Sequence, residues 1–384
     1  MADKTLGVIL NGATGRMGYR QHLVRSILPI IEQGGVELSD GSRVQLDPIL
    51  VGRHEDKLKA VSEKHGGIKY TTDLDSVLAD DKYPLYADFL VTSARVAAIE
   101  KAIKAGKKAV YTEKPIAETL EDAVELVKLG KEHDVVSGVV HDKLFLPGFL
   151  KLRRLIDSGF FGRILSVHGE FGYWVFEGDW HKSQRPSWNY KKEQGGGMIS
   201  DMFPHWNYII ENLFGRITDV YADAKTEIPD RWDEQGNHYD ATAEDAAYAV
   251  FNTVNGITVQ MNSSWNTRVF RDELVEFQVD GTLGSAVIGL FTAKIQARPA
   301  TPLAFWNPDV PDPHNYWDNW QEIATDEQFE NGFKAQWEEY IRALVEHKPY
   351  PYDFESGARG VRLANLGYES AKEGRKIEVP ENLL

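Results

Sequence analysis

The sequence predicts an α/β fold: a doubly wound parallel sheet with helices on its faces, then a second, α+β domain built on a large, mostly antiparallel open sheet. Three observations carry the prediction. Short apolar runs alternate with amphipathic segments as far as Val140, a glycine-rich loop follows directly on the first run, and beyond Pro147 the pattern changes to period-two alternation. A chain of 384 residues that is 42% hydrophobic can bury two cores, and the change of pattern divides it into 1–146 and 147–384.

In the first domain the strands fall at Leu6–Leu10, Leu46–Val51, Tyr86–Thr92, Ala109–Thr112 and Val135–Val140. Between them, Val96–Ala105 puts Ile99 and Ile103 on one face and stops at Gly106, as a helix does when its last carbonyls take a left-handed cap. Thr119–His133 opens on Thr119 and Asp122, close to a capping box, and carries Val124, Leu126 and Val127 as its apolar stripe. Glu32–Val44, with Gly34-Gly35 and Asp40-Gly41, reads as a surface excursion before the second strand. In the second domain Leu165, Val167, Phe171, Tyr173 and Val175 alternate with Ser166, His168 and Glu170 along one long strand. Further strands are expected at Val220–Thr226, Ala247–Asn252, Ile257–Asn262 and Leu274–Asp280, and the scarcity of helices between them argues for antiparallel pairing. Helices at Phe329–His347 and Ser356–Glu373 close the chain around the rigid turn Pro349-Tyr350-Pro351 and are expected to pack back on the first domain.

A formal charge of -15 argues against a nucleic-acid groove or an anionic membrane surface, both of which need clustered Lys and Arg. With no cysteine there is no disulfide, thiolate nucleophile or cysteine-ligated metal. Met1–Thr5 runs into an apolar stretch, Leu6–Leu10, too short for a secretory leader, and no run approaches the roughly 20 apolar residues of a membrane span. The expectation is a cytoplasmic protein acting on a small molecule.

Gly12-Ala13-Thr14-Gly15-Arg16-Met17-Gly18 stands behind the first strand, where glycines allow a tight turn, close approach of a pyrophosphate and tight helix packing. Its spacing is looser than G-x-G-x-x-G, and a glycine-rich turn in any doubly wound sheet is the alternative. The second strand ends in Gly52-Arg53-His54 rather than in a carboxylate. An Arg there can pair with a 2'-phosphate, which leans toward NADP over NAD, or it is simply exposed in a strand-end loop. Thr92 and Glu113, at the ends of the third and fourth strands, complete the cofactor set with Lys114.

Lys114, in Thr112-Glu113-Lys114-Pro115, follows a strand at the edge where open parallel sheets bind ligands, and Pro115 disfavours helix there. Asp201 and His205 lie four apart behind Gly195-Gly196-Gly197, so on a helix they share a face. A carboxylate beside one ring nitrogen fixes the tautomer and leaves the other to exchange a proton with a hydroxyl. Pro204 between them would break a helical bond unless it lay in the first turn. A surface lysine and a surface ion pair are the bland alternatives. No metal is expected: Asp201, His205 and His181 lack a metalloprotease spacing, and no G-x-S-x-G elbow points to a serine nucleophile. The run Tyr173 to Tyr190, with Tyr173, Trp174, Phe176, Trp180, Arg185 and Trp188, mixes aromatic rings with hydrogen-bonding groups, which suits a sugar and equally an ordinary packed loop.

Taken together, the glycine loop, Glu113-Lys114-Pro115, the Gly195–Gly197 segment leading to Asp201 and His205, and the ending Tyr368-Glu369-Ser370-Ala371 with Gly374-Arg375 resemble the glucose-fructose oxidoreductase/inositol dehydrogenase/MocA family over nearly the whole chain. The resemblance implies an N-terminal Rossmann domain, a C-terminal sheet that often mediates dimers or tetramers, Lys114 as catalytic lysine, Asp201 as a support of the site and His205 as acid/base at the reacting hydroxyl. It departs at Asp142-Lys143, where the family usually has Asn-Arg and where Lys143 would meet substrate, and at Ser93-Ala94-Arg95, where it usually has Pro-Asn-His. The expected reaction is NAD(P)-dependent oxidation of a secondary alcohol of a sugar, glycoside or cyclic polyol. Redox-assisted glycoside hydrolysis and a nicotinamide-binding regulator without turnover are the alternatives.

Overall fold

A computed structural model describes residues 4–175, 177–179, 184–325 and 331–383. The chain begins with β1 (Lys4–Asn11) and a π-helix (Gly18–Ile27) that continues as α1 (Leu28–Glu32). Then come β2 (Val36–Glu37), β3 (Arg43–Val51), α2 (Glu55–Lys64), β4 (Lys69–Thr71), α3 (Leu74–Leu78) and β5 (Leu85–Asp88). The next stretch holds α4 (Thr92–Lys104), β6 (Ala109–Thr112), α5 (Leu120–Glu132) and β7 (Val136–Val139). After α6 (Pro147–Asp157), β8 (Ile164–Phe171) and α7 (Met198–Leu213) follow β9 (Ile217–Lys225), β10 (Asp230–Trp232), β11 (His238–Asp240) and β12 (Ala246–Thr253). The sheet continues with β13 (Thr258–Ser264), β14 (Val275–Gly281), β15 (Gly284–Ile288), β16 (Ala293–Ala297) and β17 (Gln321–Glu322), and the chain closes with α8 (Gly332–Val345), α9 (Phe354–Glu373) and β18 (Ile377–Glu378).

These elements form two units: Met1–Phe145 with Glu330–Arg362 and Asn382–Leu384, and Leu146–Phe329 with Leu363–Glu381. In the first, β3, β1, β5, β6 and β7 lie side by side in parallel, β4 pairs parallel to β3, and the short β2 is antiparallel to it. This is the Rossmann arrangement, with the strand order reversing between β1 and β5. Alternation along β1 supplies both faces. Val8 and Leu10 pack with Leu23, Ile27, Trp337, Tyr340 and Ile341, while Ile9 packs with Ile99, Ile103, Leu126 and Val127. Thus the π-helix and α8 cover one face and α4 and α5 the other.

The second unit is a nine-stranded sheet in the order β17-β16-β15-β14-β8-β13-β12-β9-β18, antiparallel except for the β8–β13 pair. α7 lies on it through aromatic contacts, Phe203 to Phe251 at 5.4 Å and Trp206 to Phe171 at 5.8 Å, and the Trp206 indole N–H donates to Ser263 Oγ at 3.1 Å. No helix among the described residues is long and apolar enough to cross a membrane.

Several boundaries differ from expectation. Thr92 begins α4 instead of ending a strand, because β5 stops at Asp88, whose buried carboxylate is held by Arg95 from the following helix. The long strand ends at Phe171 rather than Val175: Gly172 has φ +106°, and a Cβ there would sit 1.8 Å from the Ser264 carbonyl oxygen. The excursion after the first helix contains β2, paired with β3 through Val36–Val44 and Glu37–Arg43. Pro204 lies in the second turn of α7, and the helix continues through it.

Candidate active site

The glycine loop, residues 12–18, follows β1 at the edge of the sheet where the strand order reverses. Gly12 N–H donates to the Val51 carbonyl at 3.0 Å, with φ +87° that an L-residue rarely adopts, and Gly15 N–H donates back to Gly12 at 2.9 Å. A Cβ on Gly18 would stand 2.3 Å from the Gly12 oxygen, so the loop closes on itself only with hydrogen at that position. Gly15 and Arg16 are exposed, and Thr14 and Met17 half-buried, at the start of the helix. This bare, solvent-facing backbone at a helix start fits a dinucleotide pyrophosphate. Arg53 is exposed in the turn between β3 and α2. Thr92 is half-buried at the start of α4, just beyond the end of β5.

Lys114 follows β6, half-buried, with a cis bond to Pro115. Glu113 before it is buried, and both its oxygens are engaged: Oε2 accepts the Lys114 N–H at 3.1 Å and Oε1 bonds His22 Nε2 at 2.9 Å. The His22 ring receives the Trp337 indole N–H on Nδ1 at 3.0 Å. An indole nitrogen only donates, so His22 carries its hydrogen on Nε2 and donates to Glu113. Burial pushes the Glu113 carboxyl up, but the His22 hydrogen bond and the neighbouring charges of Arg95 and Lys114 outweigh it and hold the group below its usual range. Lys143 lies on a short 3-10 helix after β7, with its ammonium 3.8 Å from the adjacent Asp142 carboxylate.

In the second unit, α7 presents Asp201 and His205. The Asp201 carboxylate pairs with Arg185 at 3.1 Å, and that guanidinium stacks over Trp265 at 4.6 Å and donates from Nε to Asn189 at 3.2 Å. His205 is buried, and its Nδ1 lies 2.6 Å from the Tyr208 hydroxyl one turn further on. The Tyr208 hydroxyl is thus one partner of the ring, carried on the same helix as Asp201. The three glycines before the helix have packing reasons. A Cβ on Gly196 would meet the Trp188 and Asn189 carbonyls at 2.5 Å, and one on Gly197, where φ is +132°, would meet Glu244 Oε1 at 2.5 Å and the Tyr368 hydroxyl at 2.6 Å. Glu244 Oε1 in turn accepts the Ile199 N–H at 3.0 Å, near the helix start, and the Tyr368 hydroxyl at 2.8 Å.

The aromatic loop divides into different environments. Tyr173 and Trp188 are exposed; the Tyr173 ring lies 4.8 Å from that of Trp174 with the planes tilted by 60°, and the Trp174 φ of +89° is a strained conformation for a bulky residue. Tyr190 is core, with the buried Arg231 guanidinium 3.6 Å above its ring. Phe176, Trp180 and His181 lie outside the described residues. Asp230, His238 and Asp240 bring ligand atoms within 4.8 Å of one another on the exposed β10–β11 hairpin, a juxtaposition of acidic groups common without any ion.

Residues 38–141 match the oxidoreductase family's NAD-binding Rossmann fold, and residues 149–287 match the GFO/IDH/MocA C-terminal domain. A D-xylose dehydrogenase of Paenarthrobacter nicotinovorans is 56% identical over 378 residues, 97% of each chain. Among solved structures, a levoglucosan dehydrogenase in complex with NADH and L-sorbose matches with a TM-score of 0.78 over 99% of each chain at 19% identity. An aldose-aldose oxidoreductase from Caulobacter crescentus complexed with glycerol matches at 0.74 over 98% of this chain and 100% of its own, at 18% identity. Identities this low speak for the fold, whereas the full-length relative speaks for descent. The chain belongs to the GFO/IDH/MocA family of oxidoreductases.

Proposed function

We propose that the protein is an NADP-preferring dehydrogenase of D-xylose or a closely related aldose. The observation that carries this reading is the 56% identity, over 97% of both chains, to a D-xylose dehydrogenase. That relationship favours net sugar oxidation over redox-assisted hydrolysis and over a regulator without turnover. Gly12, Thr14, Gly15, Arg16, Met17 and Gly18 hold the pyrophosphate, and Arg53, where a carboxylate would repel it, pairs with the 2'-phosphate. When bound, the nicotinamide supplies the acceptor for the hydride leaving the substrate carbon. His205 takes the hydroxyl proton on Nε2 while Tyr208 keeps Nδ1 oriented. The Lys114 ammonium donates to the substrate oxygen and stabilises the negative charge developing there. Arg185, fixed by Asp201, Trp265 and Asn189, offers N–H donors to the other hydroxyls, with Lys143, Tyr173, Trp174 and Trp188 completing the sugar contacts. The open face of the nine-stranded sheet, with Tyr221 and Tyr248 exposed, supports assembly as a homodimer or homotetramer.

A panel of aldoses and glycosides, followed at the nicotinamide absorbance band with NADP and NAD in parallel, tests this. D-Xylose should reduce NADP stoichiometrically and faster than NAD. Lys114→Ala and His205→Ala should each lose about 10²–10⁴ in kcat with little change in cofactor affinity. Sugar release without net reduction, or turnover near the parent's in either variant, overturns the assignment concerned.

A further inference from the structure

We infer that His22 and Arg95 are positioning residues for Lys114: two buried side chains, each fixed by a buried partner of its own, pin the residues on either side of the lysine. The inference rests on Lys114 acting at the substrate. On the N-terminal side, Trp337 sets the His22 tautomer, His22 stacks on Phe89 at 3.9 Å with ring planes 12° apart, and its Nε2 bonds Glu113 at 2.9 Å. The other oxygen of Glu113 receives the Lys114 backbone N–H at 3.1 Å. On the C-terminal side, Arg95 donates through one terminal nitrogen to the Pro115 carbonyl. Its Nε donates to Asp88 at 2.9 Å and its other terminal nitrogen to the Leu90 carbonyl at 2.6 Å. Asp88 further accepts the Tyr86 hydroxyl at 3.2 Å, and Tyr86 accepts from Asn11 at 2.8 Å, so this arm reaches back to the end of β1.

His22, Glu113, Asp88 and Arg95 are all at most 5% exposed. Buried polar pairs add little net stability over apolar packing of the same volume, so stability alone does not account for two of them meeting at one tripeptide. A lysine ends in a point charge on a flexible four-carbon stem, and its reach is reproducible only where its backbone is held. The two arms hold it from both sides. His22 also rides on the π-helix that follows the glycine loop, which joins the cofactor-binding backbone to the lysine through one hydrogen bond.

The test is a double-variant cycle in the full-length protein, with D-xylose and NADP, using His22→Leu, His22→Gln and Arg95→Lys alone and combined with Lys114→Ala. Circular dichroism melts and cofactor fluorescence titration confirm that each variant is folded. His22→Leu and Arg95→Lys should lower kcat by about 10- to 100-fold, while KM for sugar and cofactor moves less than about threefold. His22→Gln, able to accept from Trp337 and donate to Glu113, should return kcat to within about threefold of the parent. In the Lys114→Ala background the same changes should cost less than about twofold, since their effect runs through the missing ammonium. Turnover within about twofold of the parent for both folded single variants, or an equal loss in both backgrounds, overturns the proposal. If the Arg95 variant does not fold, the His22 pair and its cycle decide the matter. Parental turnover in Lys114→Ala instead sinks the lysine's own role, an outcome separate from the others.

Discussion

The 2.6 Å contact between the Tyr208 hydroxyl and His205 Nδ1 ties one ring nitrogen to the helix that carries it, and in the proposed mechanism the other nitrogen exchanges the proton. Removing that hydroxyl leaves the imidazole present but takes this hold off Nδ1. Tyr208→Phe should therefore cost about tenfold in kcat, well short of the His205→Ala loss, and should alter the pH profile of kcat while sugar KM holds. An unchanged pH–rate profile in Tyr208→Phe would show that the ring is oriented by something else. That Asp201 and His205 share one helix was legible because helical spacing is local, and Tyr208 lies on the same helix at i+3, yet a tyrosine there carries no chemical signature without its partner. Arg185 was legible as a hydrogen-bonding residue, but its seat on Asp201 and Trp265 depends on a loop that no periodicity describes. His22, Glu113 and Trp337 are separated by 91 and 315 positions around His22, and nothing local marks them as one chain of bonds.

Elements were readable wherever a face was continuous. The five predicted Rossmann strands and the runs that became β8, β9, β12, β13 and β14 all have apolar residues at the sheet's own period, whereas β15 to β17 and the β10–β11 hairpin are short and carry too few such positions. The π-helix was unreadable because its wider turn is a property of backbone bonding; Ser26, whose hydroxyl donates to the Gln21 carbonyl five residues back at 2.7 Å, marks it only in the structure. The triple glycine drew notice as a chemical signature, and its first cause is steric. Gly197→Ala combines a φ of +132° with a Cβ 2.5 Å from the Glu244 carboxylate, and should destabilise the protein by about 1–3 kcal/mol and lower kcat as the start of α7 shifts. A melting temperature equal to the parent's would show that the segment relaxes without cost. A second element contact is pH-sensitive. Glu346, just beyond α8, accepts the Ser39 N–H at 2.6 Å and hydroxyl at 3.0 Å and meets Lys348 at 2.5 Å, and the Lys348 bond, followed by the two from Ser39, lowers its carboxyl to about 2. A depressed carboxyl contributes stability above its unfolded value and loses it as pH falls toward the folded one. Between about pH 4.5 and 2 the parent should thus lose a stability advantage over Glu346→Gln that it holds at neutral pH, read as converging melting temperatures.

At the scale of the chain, the cofactor-binding unit is assembled from distant pieces: Met1–Phe145 is completed by Glu330–Arg362. Trp337, Tyr340 and Ile341 on α8 are fully buried against the same face of the sheet as Val8, Leu10 and Tyr111. The helix also satisfies backbone groups at the last strand. Gln336 donates to the Val139 carbonyl at 2.8 Å and accepts the His141 N–H at 2.8 Å, and the Tyr340 hydroxyl donates to the Val136 carbonyl at 2.8 Å. Burying three side chains of this size contributes roughly 5–9 kcal/mol, comparable to the whole stability of an ordinary domain. A fragment ending at Phe145 would expose that face and leave those carbonyls and the His22 Nδ1 without their partners. Residues 1–145 expressed alone should show no cooperative melt and no NAD(P)-dependent fluorescence change. Trp337→Ala in the full chain should cost about 3–5 kcal/mol, as truncation of a buried tryptophan does. A fragment that melts cooperatively and binds NAD(P) with the parent's affinity would mean that the first 145 residues hold their sheet without α8, and the returning helix would then be an addition to the cofactor unit rather than part of its core.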